Sequence, residues 1–211
     1  MPEETEMIGN LDELVAYAER TANALPELSE EIRILRPGCP PDLIATLRET
    51  LPGLPESYLS VLEAIAIDGI AIGYFQLTPS SSQATNLADK LRGFNDPTLT
   101  PMAEHYRRHG VYQVASWEAD PICVAHSDGT VKIGQVVKYN AADPTTAPVV
   151  LADGFEQFLI IAANLDDIRS KYGGEPARAL DAFKTYLSPM VAGRQDDMES
   201  TWTDIATVVL G

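Results

Sequence analysis

Residues 111–139, VYQVASWEADPICVAHSDGTVKIGQVVKY, decide the fold class of this 211-residue chain. Apolar and polar residues alternate over 111–117, as in a strand with one buried face. Two apolar runs follow, 121–126 and 131–139, and Asp128-Gly129 between them is typical of a tight β-hairpin. This part of the chain therefore predicts consecutive antiparallel strands.

Helical patterns lie on both sides of this strand region. Asn10 is placed to cap the first helix, and Asp153 is placed to cap a long helix over 154–172. Between these helical segments, residues 70–77 resemble a strand or a pair of strands bent at Gly73. The order of helices, strands and helices predicts an α+β fold with a mainly antiparallel sheet flanked by helices. The predicted helical segments are 11–25, 26–35, 42–51, 59–67, 83–91, 102–109, 154–172, 176–190 and 196–210.

The long helix after Asp153 has the clearest buried face. Phe155, Phe158, Leu159 and Ala162 recur at i, i+3, i+4 and i+7, so they share one side of the helix. We expect this side to pack on the core.

The length and composition are those of one globular domain. Hydrophobic residues make up 45% of the chain and charged residues 22%, and about 100–200 residues per domain is usual. We divide the domain into a helical extension over 1–40, a core over 41–172 and a second helical extension over 173–211. No apolar run reaches the ~18 residues of a membrane helix, and the polar N-terminus does not resemble a secretory signal.

The net charge of −16 restricts the choice of partners. Nucleic acids and anionic membranes attract basic surfaces, so neither is expected as a partner. Residues 1–31 hold nine acidic residues and one basic residue, Arg20, which leaves −8, half of the net charge. This segment either keeps the protein soluble or steers a basic partner.

Few residues offer chemistry. His105 and His109 share a helix face and could bind a metal ion, but Arg107 and Arg108 oppose a cation and no third ligand is evident, so we expect neither metal nor cofactor. Cys123 and His126 point to opposite faces of a strand, and we expect Cys123 to be a small buried hydrophobe. Free thiols on Cys39 and Cys123 are the expectation for a reducing cytoplasm.

Several short motifs occur in an order that resembles the SMI1/KNR4 (SUKH) superfamily. Leu54-Pro55-Glu56-Ser57-Tyr58, then Leu62, then Asp68-Gly69, is similar to the opening of that family. The run 120–124 with Asp128-Gly129 and 131–139 resembles its central hairpin, with Ala119 where the family often has glycine. Asp153 with Phe155, Phe158 and Leu159 is similar to its closing helix. The resemblance covers about residues 43–172.

The resemblance implies a non-enzymatic α+β domain that binds a protein in the cytoplasm. Many bacterial members are immunity proteins that neutralise a toxin, and the acidic charge would suit a basic toxin. Two alternatives stay open, namely a regulatory or scaffolding module that binds a protein or small ligand, and a metal-dependent enzyme using His105 and His109. The candidate partner-binding residues on the sheet side or its rim are Trp117, Glu118, Asp120, Asp128 and Tyr139.

Overall fold

The computed structural model describes residues 7–78, 86–143, 145–193 and 196–211. Its sheet is a meander in which strands adjacent in the chain pair antiparallel, in the order β1-β2-β3-β4-β5-β6. The predicted α+β fold with an antiparallel sheet flanked by helices is therefore confirmed. The strands are β1 (Ala71–Ile72), β2 (Phe75–Gln76), β3 (Val111–Trp117), β4 (Asp120–Ala125), β5 (Val136–Lys138) and β6 (Val149–Ala152).

Most of the predicted helices form, some with shifted bounds. The Asn10 side chain accepts a hydrogen bond from the Glu13 N–H at 3.0 Å, so Asn10 caps the first helix as predicted. A 3₁₀ turn, Pro26–Leu28, separates the first two helices. The helices are α1 (Leu11–Ala24), α2 (Ser29–Ile32), α3 (Pro41–Thr50), α4 (Glu56–Ala64), α5 (Leu87–Asn95), α6 (Ala103–Arg108), α7 (Phe155–Lys171), α8 (Pro176–Val191) and α9 (Asp196–Leu210).

Helices cover both faces of the sheet. On one face, the Phe75 ring of β2 lies 5.3 Å from Phe158 of α7 and 5.7 Å from Trp202 of α9. On the other face, Asn95 at the end of α5 exchanges two hydrogen bonds with the backbone of Gln113, and α6 packs beside it on β3. The sheet is thus the middle layer of three.

Helix α7 lies at the centre of the core. Phe155, Phe158, Leu159 and Ala162 are each at most 1% exposed, which confirms the predicted core face. Ile160, Ile161 and Ala163 are buried too, because α1, α4, α8 and the sheet surround the helix. A helix that is apolar on nearly all sides is expected where neighbours cover all of them.

The terminal segments contribute to the same hydrophobic core as the sheet. Phe183 of α8 and Trp202 of α9 are both fully buried in it, and the Trp202 indole N–H donates to the Leu151 carbonyl of β6 at 2.6 Å. At the other end, the buried Asn164 side chain accepts from the Ile8 N–H at 3.0 Å and donates to the Ile8 carbonyl at 2.8 Å. The two hydrogen bonds attach the N-terminal segment to α7.

Three local predictions were wrong in their details. The apolar run 131–139 is a strand only over Val136–Lys138, because Gly134 adopts a left-handed φ of 88° and the Gln135 side chain binds the Lys132 N–H. Gly154, not Asp153, is the N-cap of α7. The helix predicted over 83–91 begins at Leu87, and residues 83–85 lie outside the described residues.

Candidate functional site

The turn between β3 and β4 brings three of the candidate residues together. Trp117 and Asp120 are paired across the two strands, so Glu118 and Ala119 alone form the turn. Glu118 is exposed and has a φ of 50°, a left-handed conformation that costs a side chain other than glycine roughly 1–2 kcal/mol. Strained exposed residues occur at binding sites more often than elsewhere.

Lys138 of β5 joins this group from the neighbouring strand. Its Nζ lies 2.7 Å from Asp120 Oδ2 and 5.0 Å from the centre of the Trp117 ring. The other Asp120 oxygen, Oδ1, accepts from the Ala141 N–H at 2.9 Å. We call these four residues, Trp117, Glu118, Asp120 and Lys138, the turn cluster.

The ion pair in the turn cluster is shielded from solvent. The side chains of Lys138 and Asp120 are 15% and 22% exposed, so their attraction is screened less than that of a surface pair. The Trp117 indole N–H is buried and has no acceptor among the described residues. The cluster therefore holds a fixed ion pair, an aromatic ring and an unsatisfied donor beneath an exposed glutamate.

Lys138 was missed at the sequence level, although a signal for it was present. The apolar run 131–139 contains two charged residues, Lys132 near its start and Lys138 near its end. In a strand that is otherwise buried, a lysine must find a carboxylate or reach solvent. Its spacing from the turn did not identify Asp120 as that carboxylate, because the register between β4 and β5 was unknown.

Tyr139 is not a partner-binding residue in this structure. Its side chain is 1% exposed and lies 5.5 Å from both His105 and Tyr106 of α6. Successive strand residues point to opposite faces, and Lys138 is directed at Trp117. Tyr139 therefore belongs to the face covered by α6, away from the turn cluster, and acts as a core residue.

Asp128 also lies apart from the turn cluster. It follows the far end of β4, whose six residues span roughly 20 Å. Its Oδ1 accepts from the Ile133 N–H at 3.2 Å, which stabilises the loop that joins the paired strands β4 and β5. The five candidate residues thus do not form one surface, and only Trp117, Glu118 and Asp120 remain together.

His105 of α6 and His109, which follows the end of α6, contact each other with their rings tilted by 35°. The His105 and His109 rings are 4.4 Å apart, and Glu104 is bound to Arg107 and Arg108. Burial lowers the pKa of His105 below its ordinary value, and the positive charges of His109 and Arg108 lower it further. In the part of the chain that the structure describes, no group of three or more His, Cys, Asp or Glu residues could hold a metal ion.

Neither thiol has the environment of a nucleophile. Cys123 is fully buried, as expected, and burial raises its pKa well above the ordinary value. Burial, followed by the negative charge of Asp68, raises the pKa of Cys39 as well. Reactive cysteines have lowered pKa values, so both thiols stay protonated near neutral pH. His126 stacks on Tyr112, with 4.2 Å between the ring centres.

Comparisons of the chain with protein-family models, with curated proteins and with solved structures find no match. None of the helices formed by described residues is long and apolar enough to cross a membrane.

Proposed function

We propose that this protein is a non-enzymatic, cytoplasmic protein-binding domain of the immunity type, which binds and neutralises a basic bacterial toxin. The resemblance of its motifs to the SMI1/KNR4 superfamily suggests the class. One structural observation carries the proposal to this chain. The carboxylates of Glu19 on α1, Glu27 on the 3₁₀ turn, and Glu30 and Glu31 on α2 are exposed, and no ion pair within the described residues involves them.

Exposed carboxylates that form no ion pair raise the association rate of a basic partner. Arg20 and Arg33 are the basic residues interspersed among them, and the Arg33 guanidinium donates to Asn23 instead of to a carboxylate. The negative field of this surface is therefore largely uncompensated. An inhibitor of a basic protein benefits from such a field because it must capture its target quickly.

The turn cluster is the proposed point of close contact. Aromatic residues that sit at the centre of a contact and lose water on binding contribute most to affinity. The apolar Trp117 ring is half-buried beside the turn, and Glu118 extends from the turn into solvent. A partner with a basic surface and an apolar side chain would match both.

The direct test is to search the genes next to this one for a toxin-like protein and to co-express any that is found with this chain. We expect this chain to restore growth of the host and to form a complex with the purified toxin. Glu118→Lys should weaken the complex, whereas Glu49→Lys, a change of another exposed acid on α3, should not. Binding without restored growth would favour a regulatory or scaffolding module. The absence of both binding and restored growth would refute the immunity function.

A further inference from the structure

A narrow groove lies between α1, α2, the β1–β2 turn and the second half of α7. Its floor is formed by Leu14, Tyr17 and Ala18 of α1 and by Ala71 and Ile72 of β1. The volume is about 260 Å³, below the roughly 300–1,000 Å³ of a typical small-molecule pocket. A space of this size suits one apolar side chain better than a whole ligand. We call it the α1–α7 groove.

Two leucines stand at the mouth of the α1–α7 groove. Leu25 and Leu28 are 39% and 42% exposed, although both line the groove. They lie on either side of the break between α1 and α2, where Pro26 ends the first helix. Apolar side chains held at the rim of an apolar groove leave area that a partner could cover.

Carboxylates surround the same groove. Glu31 and Asp166 line the groove, and Asp167 lines the depression that continues from it. Glu27 lies on the 3₁₀ turn before α2, and Glu30 lies beside Glu31 on α2. Against these five carboxylates stand three cations, namely Arg20 of the adjoining depression, Arg169, and Lys171, which pairs with Asp167. The surroundings of the groove therefore carry a net negative charge.

The polar groups inside the α1–α7 groove hold its walls in place. Asp166 accepts from the Tyr17 hydroxyl at 2.7 Å and from Arg169 at 2.9 Å, which ties α1 to α7. Arg169 also lies over the Tyr74 ring at 5.1 Å. Gly73 has a φ of 55°, and a Cβ there would come within 3.0 Å of the Asp166 carboxylate. The walls are thus closely fitted, and the groove exists before any partner binds.

We propose that the α1–α7 groove is the docking site for a basic segment of the partner protein. One aliphatic side chain of this segment inserts between Leu25, Leu28 and Ile72. Its lysine or arginine residues lie against the carboxylates at the rim of the groove, Glu27, Glu30 and Glu31. The proposal rests on the proposed function and gives its partner a chemistry and a place. Charge complementarity selects this occupant. A second copy of this chain, at −16, would be repelled by the same rim.

A synthetic peptide of repeated Lys-Lys-Leu-Leu units is the first probe, and a peptide with serine in place of leucine is its control. Amide chemical shifts of the full-length protein should change at Thr21, Leu25, Leu28 and Ala71 when the leucine peptide is added. The serine peptide should bind about tenfold more weakly or worse, because it lacks the inserted side chain. Equal binding of the two peptides, or shifts confined to other surfaces, would overturn the proposal.

Variants at the rim separate apolar from electrostatic recognition. The double variant Leu25→Ser, Leu28→Ser should bind the leucine peptide about tenfold more weakly. The Glu31→Lys variant should lower the association rate of the peptide and make that rate depend less on salt. Leu99→Ser is the matched control, since Leu99 is 66% exposed and lies outside the groove. Equal effects of the rim variants and the control would refute the groove as the site.

The same variants with the neighbouring toxin distinguish failure of the groove from failure of the function. If the wild-type chain binds the toxin and the Leu25→Ser, Leu28→Ser variant binds it equally well, the docking site is wrong and the function stands. If the peptide occupies the groove but no toxin binds, the function is wrong and the groove's preference stands. A wild-type dimer that this variant converts to a monomer would show that a second copy fills the groove, against the proposal.

Discussion

Glu118 is the one residue other than glycine that has a positive φ in the part of the chain that the structure describes. Glycine adopts a φ of 50° freely, so Glu118→Gly should relieve roughly 1–2 kcal/mol of strain and lose part of that gain to the greater entropy of the unfolded chain. We expect the free energy of unfolding to rise by about 0.5–1 kcal/mol. Urea unfolding measures this, and Ala119→Gly, at a neighbour whose φ is not positive, should lower stability.

The lowered pKa values of two histidines predict how the free energy of unfolding depends on pH. Burial lowers the pKa of His105 and of His126 below the ordinary value of 6.5, so the unfolded chain takes up these protons at a higher pH than the folded one. Their contribution to stability is complete above about pH 6.5 and is lost as the pH falls through the folded pKa values. The free energy of unfolding should therefore decrease from about pH 7 to about pH 5.

The double variant His105→Gln, His126→Gln tests the origin of that decrease. Its stability should change less with pH over the same range, as measured by urea unfolding at each pH. Hydrogen bonds from neighbouring threonines lower the pKa of Asp96 and Asp143 below 3.8, so those groups affect stability only at lower pH. An unaltered pH dependence in the double variant would assign the effect to other groups.

Helix α7 is the element on which the core depends most. Phe158 is fully buried, and its ring centre lies within 6.2 Å of those of Phe75, Phe155 and Trp202. Phe158→Ala should reduce the free energy of unfolding by about 3–5 kcal/mol, because the cavity cannot close fully. Thermal and urea unfolding provide the measurement. Ser170→Ala, at an exposed position of the same helix, should change stability by less than about 0.5 kcal/mol.

Elements with strong local signals could be predicted from the sequence. Residues 111–117 form β3 with the predicted bounds, and Asn10 caps α1, because alternation and capping are properties of neighbouring residues. The strands on either side of Asp128-Gly129 pair antiparallel as predicted, but the connection between them is longer than a tight turn, because Gly134 and the Gln135 side chain bend the chain further on. The turn at Glu118-Ala119 contains none of the residues that announce a tight turn.

The candidate site was predicted less well than the fold, because it depends on register and on side-chain direction. Trp117 and Asp120 could be placed at the same end of a hairpin from their spacing. The burial of Tyr139 could not be predicted, since it follows from contact with the rings of His105 and Tyr106 on α6, which lie more than 30 positions earlier in the chain. The α1–α7 groove likewise needs α1, β1 and α7 in contact, and no local pattern predicts that arrangement.

At the scale of the whole molecule, the acidic surface predicts the kinetics of partner binding. Among the acids of residues 1–31, Glu3, Glu4 and Glu6 lie outside the described residues, Glu13 binds the Gly9 N–H and Asp12 pairs with Arg36. Glu19, Glu27 and Glu30 are thus the better positions for neutralisation. Replacing these three by glutamine should slow association with a basic toxin and leave its dissociation rate nearly unchanged.

Stopped-flow measurements at low and high ionic strength provide the test. The wild-type association rate should fall as salt screens the charges, and the difference from the variant should shrink. A chain with Glu49, Asp181 and Glu199 replaced by glutamine carries the same net charge change on α3, α8 and α9 and serves as the control. An association rate that does not change with salt concentration, or a toxin that is itself acidic, would contradict electrostatic steering of the toxin.

The hydrogen bonds between Ile8 and Asn164 have a consequence for the protein during its synthesis. The two residues are 156 positions apart, and at roughly 5–20 residues per second the ribosome needs about 8–30 s to pass from one to the other. Until then the nascent N-terminal segment has no binding site on α7. The indole of Trp202, which packs on Phe75 of β2, emerges later still, so the packing of this face of the sheet must await the translation of α9.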